Sequence, residues 1–442
     1  MAGVVRFSKV FAPRSGRELP AHAPTLPGLG TILSSLNASA PPRFCRQRAI
    51  FFPAEGVDTW FLEILGIMSD LSHALLKLQR SHSQLPVSVY FDQALHNAEL
   101  ERIFQSGPRY LGHAVSVPEV GDHYALPQEG EGRALVRTRD EVELISNVCR
   151  HRQAIMLKGR GTSRQGNIVC PLHRWTYNLH GELIGAPHFD HDPCLNLRNY
   201  KLRNWNGLLF EDNGRDIAAD LAGLEHRFAP GGDLDFSGYV LDKVELHECN
   251  YNWKTFIEVY LEDYHVGPFH PGLGNFVTCD DLQWDMAREY SIQTVGIANA
   301  LGKPGSDVYR TWHEAVLGQG EGKPPSQGAV WMTYYPTMMV EWYPGVLVVS
   351  TLHPQGPQKT LNVVEFYYPE EIAAFEREFV EAQQAAYMET CIEDDEIAER
   401  MDAGRKALFD RGDNEMGPYQ SPMEDGMQHF HEWYRREMDF RE

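Results

Sequence analysis

The spacing of apolar positions changes character several times along the chain, and each change predicts a different element. Leu71, Ala74, Leu75 and Leu78 fall at helical spacing within 70–80, and Leu95, Ala98, Leu100 and Ile103 repeat it within 94–104. Two short helices are expected there. From 110 to about 212 the period shortens, and runs such as Leu135-Val-Arg-Thr, Val142-Glu-Leu-Ile, Asn167-Ile-Val and Leu208-Leu-Phe alternate with glycine-bearing turns. That texture predicts a small antiparallel β domain. A short helix within 218–233 and the Pro230-Gly231-Gly232 linker mark a boundary. Beyond it the pattern is helical near 253–265, strand-like at 328–335, 337–342, 346–352 and 360–368, then helical from 369 to about 401. The expected fold class is α+β, in four stretches: an extension over 1–67, helices over 68–109 packing on the last domain, the β domain over 110–217, and an α+β domain over 218–442.

Composition sharpens the reading at the N-terminus. Residues 1–67 carry seven basic and four acidic side chains, whereas the whole 442-residue chain is at −21. Pro and Gly cluster at 20–30 and 41–42, so most of this extension is expected to be poorly ordered. Met68 is taken as the initiator, with an organelle transit peptide as the alternative. The strongly acidic remainder excludes nucleic acid and anionic membranes as partners. No apolar run approaches the roughly 18 to 20 residues of a membrane-spanning helix. Seven cysteines without a secretory signal point to a reducing, cytoplasmic setting. Cys45, Cys194, Cys249, Cys279 and Cys391 are scattered and expected to be inert.

The other two cysteines have histidine companions. Cys149-Arg-His151 and Cys170-Pro-Leu-His173, eighteen residues apart, put one thiolate and one imidazole on each of two loops. Two cysteines for one iron and two histidines for the other are the ligands of a Rieske [2Fe–2S] cluster. A structural zinc site is the competing reading, but zinc fingers pair Cys with Cys and His with His. The interleaved order favours the cluster.

A second constellation lies at Glu262-Asp263-Tyr264-His265-Val-Gly-Pro-Phe-His270. Histidines five apart do not share a regular helix face, so a break at Gly267-Pro268 is expected between them. They suit two positions of a two-His-one-carboxylate iron site with open coordination positions. Glu393, Asp394, Asp395 and Glu396 offer the distant carboxylate, the other three being expected in solvent. His188-Phe-Asp-His-Asp192 is read as a turn, and His429, His431 and Glu432 as surface. No nucleotide-binding glycine motif is complete.

The two Cys/His motifs, with Trp175 and Gly181-Glu-Leu after them, resemble the Rieske domain of ring-hydroxylating oxygenase alpha subunits. The resemblance spans about 90–434 and includes Asn252-Trp-Lys254 and Gly417-Pro-Tyr-Gln-Ser-Pro422. One departure is Arg174, where that family usually has Gly. The resemblance implies a helix-grip-like catalytic domain and a mononuclear Fe(II) held by His265, His270 and Asp394, preferred over Asp395 from the spacing to Glu393, Glu399 and Gly404. It also implies a trimer in which Glu262 bridges the iron site to His173 of a neighbouring subunit. NAD(P)H would act only through a separate reductase, with or without a ferredoxin, and a beta subunit remains an option. Arene hydroxylation is the first expectation. Oxidation of quaternary ammonium or N- or O-methyl compounds is the second, and a pure electron-transfer protein the third.

Overall fold

The computed structural model describes residues 83–438. The helix expected at 70–80, the Met68 initiator and the 1–67 extension lie outside the described residues. Strands β1 (Tyr110–His113), β2 (Asp122–Ala125), β3 (Arg133–Arg137), β4 (Val142–Ser146), β5 (Arg160–Thr162), β6 (Asn167–Val169), β7 (Thr176–Asn178), β8 (Leu183–Gly185), β9 (Asn199–Tyr200), β10 (Leu202–Trp205) and β11 (Leu208–Glu211) come first. They form three antiparallel sheets, in the orders β1-β11-β10, β5-β2-β3-β4-β9 and β6-β7-β8.

A larger sheet follows, made of β12 (Tyr239–Cys249), β13 (Val277–Met286), β14 (Tyr290–Ile297), β15 (Ala329–Tyr334), β16 (Met338–Tyr343), β17 (Val346–Gly356) and β18 (Lys359–Pro369). Its order is β12-β18-β17-β16-β15-β14-β13, antiparallel throughout. The alternating side-chain direction of a strand lets both faces bury apolar groups. Leu347 and Val349 join Phe210, Leu208 and the 217–236 segment on one face. Val346 and Val348 meet the helices on the other.

Those helices are α3 (Asp307–Gln319) and α4 (Arg377–Arg411). Before them come α1 (Gln93–Glu99) and α2 (Trp253–Tyr260), and α5 (Asp425–Met438) closes the described chain. α2 starts where the Asn252 carboxamide accepts from Lys254 N–H at 2.9 Å. The second expected N-terminal helix is α1 followed by a π-helical turn at Leu100–Phe104. The long C-terminal helix departs more from expectation. A short Glu370–Phe375 helix ends at Glu376, and α4 then runs ten residues beyond 401 to Gly412, whose φ of 76° closes it. At about 1.5 Å per residue, α4 is roughly 52 Å long.

Buried charge ties α1, α2 and α5 together. Lys254 and Glu99, both fully buried, pair at 2.6 Å. Glu99 also accepts from Trp253 Nε1 at 3.0 Å and from the Tyr434 hydroxyl at 2.5 Å. Burial alone would favour neutral forms of both, but each charge offsets the other's desolvation. Removing one partner strands the other. Lys254→Met is expected to lower unfolding free energy by about 3–5 kcal/mol in chemical denaturation, and adding Glu99→Gln is expected to recover part of that loss.

Candidate metal centres and an adjoining cavity

Each Cys/His motif folds as a tight turn closed on its own cysteine. Gln153 N–H donates to the Cys149 carbonyl at 3.0 Å, and Arg174 N–H to that of Cys170 at 3.1 Å. Both closing residues sit four places after the cysteine with left-handed backbone, at φ 54° and 62°. Glycine adopts that region without strain, so the arginine at 174 occupies a conformation its Cβ disfavours. The departure at Arg174 therefore bears on loop strain rather than on ligands.

The two cysteines pair with each other, and so do the two histidines. Cys149 and Cys170 are buried, and burial together with the Cys170 thiol raises the pKa of Cys149. His151 Nδ1 and His173 Nδ1 lie 3.2 Å apart. Trp175 stacks on His151 with ring centres 5.0 Å apart and 9° between planes. Two imidazole nitrogens aimed at each other beside two buried thiols form a donor set that fits one [2Fe–2S] cluster.

The second centre draws on separate elements. α2 ends at Tyr260, and a one-turn helix at Val266–Phe269 separates the two histidines. The helix thus breaks at Leu261, before His265, and Gly267-Pro268 lies inside the following turn rather than making the break. His265 Nε2 and His270 Nε2 approach Asp394 Oδ1 at 3.5 and 3.0 Å. Oδ1 is buried yet makes no well-aligned hydrogen bond. Three donor atoms that converge without a shared proton fit a metal ion.

Each ring is oriented from its far side. His265 Nδ1 lies 2.7 Å from Glu262 Oε1, and His270 Nδ1 lies 2.7 Å from Glu393 Oε2. Carboxylates on Nδ1 present both Nε2 atoms to Asp394. Burial lowers the basicity of His265, but the neighbouring Asp394 and Glu262 carboxylates outweigh it and lift its pKa to about 10. The same two imidazoles hold the Asp394 carboxyl below its usual range despite burial.

Helical phase separates the four acids of the run. Gln383, Ala386, Tyr387, Thr390, Cys391 and Asp394 line a cavity along one stripe of α4. Asp395, about 100° further round the helix, accepts from the Tyr251 hydroxyl at 2.8 Å and pairs with His247 Nε2 at 2.7 Å. The expectation that three of the four face solvent is corrected: only Glu396 is exposed, since Glu393 and Asp395 are each engaged by a histidine. His431 is corrected as well. It is buried, 2.8 Å from Glu258 Oε1 and 2.8 Å from the Tyr419 hydroxyl. His188 to Asp192 are exposed and join no metal-like group among the described residues.

The cavity holds about 90 Å³ and reaches His265, His270 and Asp394. It has two further acids. Glu341 on β16 is 1% exposed, and Asp263 is 3% exposed. Burial pushes both carboxyls up to about 7. Sequence reading passed over Glu341, although a lone carboxylate in the otherwise apolar strand Met338–Tyr343 is a signal that could have found it.

Comparison with known proteins assigns each of the two regions to a family. The family model for the ring hydroxylating alpha subunit (catalytic domain) matches residues 236–439, and that for the Rieske [2Fe-2S] domain matches residues 110–201. A putrescine 2-hydroxylase of Ralstonia nicotianae is 68% identical over 84% of this chain and 100% of its own length. Another, from Bordetella bronchiseptica, is 62% identical over 86% of this chain and 90% of its own. The crystal structure of a quaternary ammonium Rieske monooxygenase with a bound inhibitor superposes with a TM-score of 0.65 at 20% identity, covering 81% and 96% of the two chains. No helix among the described residues is long and apolar enough to cross a membrane.

Asp394→Ala is expected to reduce iron from three to two per chain while the visible spectrum of the cluster persists. Asp395→Ala is expected to keep three, because its carboxylate serves His247 and Tyr251. Metal analysis of the two purified variants reads the difference.

Proposed function

The chain belongs to the Rieske non-heme iron oxygenases as an alpha subunit, and we propose that it hydroxylates an aliphatic C–H bond of a small amine. Alpha subunits of this family work with a reductase or ferredoxin and form oligomers. Residues 110–217 are taken as the cluster domain and 218–442 as the catalytic domain. Cys149, His151, Cys170 and His173 hold the cluster. His265, His270 and Asp394 hold the mononuclear iron. When bound, the cluster supplies one-electron transfer and the iron supplies dioxygen activation.

The relatives carry the substrate reading, and the cavity at His265, His270 and Asp394 is where the substrate would sit. The putrescine 2-hydroxylases at 68% and 62% identity support an amine, so the arene expectation gives way to aliphatic hydroxylation. Oxidative N-demethylation is the second reading, supported by the likeness to the quaternary ammonium monooxygenase.

In the overall reaction one atom of O2 enters the C–H bond and the other leaves as water, with two electrons from NAD(P)H and two protons. The chain's own groups set the stage for this. Glu262 and Glu393 fix the two imidazoles, and the apolar walls exclude water. In a trimer, Glu262 would also accept from His173 of a neighbouring subunit and so join the cluster to the iron site.

Two outcomes test the reading. With a reconstituted reductase, putrescine is expected to give a product one oxygen heavier with no formaldehyde, and naphthalene no diol; formaldehyde from an N-methyl amine, with putrescine unchanged, would favour demethylation. Glu262→Gln is expected to keep three irons and a chemically reducible cluster yet lose most product formation.

A further inference from the structure

Buried carboxylates in this chain fall into two kinds. Glu99 faces Lys254, and Glu258 faces Arg405. Glu365, outside the metal-centre cavity, is cradled by the Tyr110 and Tyr367 hydroxyls at 2.8 and 2.9 Å and pushed up to about 7 by burial, with the Arg160 guanidinium opposing that shift. Glu341 differs. Its Oε2 accepts from Tyr343 at 2.7 Å and its Oε1 from Tyr387 at 2.9 Å, and among the described residues no lysine, arginine or histidine pairs with it.

The surroundings of Glu341 suit a cation supplied from outside. Trp331 Nε1 donates to the Tyr343 oxygen at 2.9 Å, which polarises the hydroxyl that holds Glu341. Trp331, Trp312 and Tyr309 put aromatic rings on the same cavity, and rings attract cations. The Tyr260 hydroxyl, in the same lining, is buried without a hydrogen-bond partner. A buried acid without a counter-ion and a buried hydroxyl without a partner are both costly unless a ligand satisfies them.

We propose that Glu341, held between Tyr343 and Tyr387, binds the protonated primary amine of the substrate, with Tyr260 as a further acceptor. This rests on the reading of the site as an amine hydroxylase and adds which group recognises the amine. A primary ammonium has three N–H donors, which match a carboxylate and a phenol oxygen as directional acceptors. A quaternary ammonium has none. Binding of the cation also restores the ionisation that burial suppresses in Glu341. Selectivity for primary over trimethylated amines follows from the same geometry.

The test uses the iron-loaded full chain. Putrescine, n-butylamine and choline are titrated into the wild-type protein and Glu341→Gln without oxygen, and turnover is measured with the reductase. Glu341→Gln keeps the shape and removes the charge. Its dissociation constant and KM for putrescine are expected to rise about 10- to 100-fold, as for loss of a charge-assisted hydrogen bond. The cluster spectrum and iron content are expected to stay as in wild type, and kcat at saturation to change much less than KM. The wild-type protein is expected to bind n-butylamine more tightly than choline. Equal putrescine affinity in wild type and Glu341→Gln would overturn the proposal even if the wild type hydroxylates putrescine. Should Glu341→Gln lose its cluster spectrum, Tyr387→Phe takes its place, and an unchanged putrescine affinity there overturns the proposal as well. A wild-type enzyme that oxidises no primary amine would instead overturn the functional reading beneath it.

Discussion

The architecture depends on the clamp between α2 and α4. Asp402 accepts from Asn252 N–H at 2.8 Å and from the Thr255 hydroxyl at 2.6 Å, and Arg405 reaches Glu258 at 2.5 Å. Asp402 lies about two turns beyond Asp394 on the same helix, so these bonds set the rotation and height of α4 relative to the end of α2. Two histidines and a carboxylate more than a hundred residues apart can converge only if that phase is right. A slip of one residue would present Asp395 in place of Asp394.

The clamp is also the most heavily charged part of the interior. Burial would raise the pKa of Glu258, but the Arg405 guanidinium and the His431 imidazole hold it down at about 2. The surroundings of Arg405 keep it cationic despite burial. His431 itself is lowered by its burial even though it bonds Glu258. An uncompensated ion at this depth would be strongly destabilising. Groups that hold α4 in place therefore carry their own counter-charges, whereas Glu341 and Asp263 in the cavity do not. That contrast separates carboxylates that build the fold from those that face a ligand.

Three features of the chain were legible without coordinates because they are local. The interleaved Cys and His pairs name their own chemistry, the helical and strand textures differ in period, and the His265 to His270 spacing demands a break. The break itself came earlier than expected because α2 ends at Tyr260. Glu393, Asp395 and His431 were misread as solvent-facing for one reason. An amphipathic pattern gives which positions share a face but not what covers each face. Here Glu393 meets His270, Asp395 meets His247, and His431 meets Glu258, every partner more than a hundred residues away.

The sequence by itself determined the metals, the two-domain order and the reaction class, because ligand identity and short spacing are written in adjacent residues and metal chemistry follows from them. Tertiary structure alone decided that Glu393 and Asp395 meet His270 and His247 rather than solvent, and that a cavity opens beside the second centre. It also decided that Glu341 lies in that space with no protein cation. Those outcomes depend on helix phase and on contacts between distant segments, and a few tens of degrees of rotation or a few ångströms of depth alter them without any change in composition.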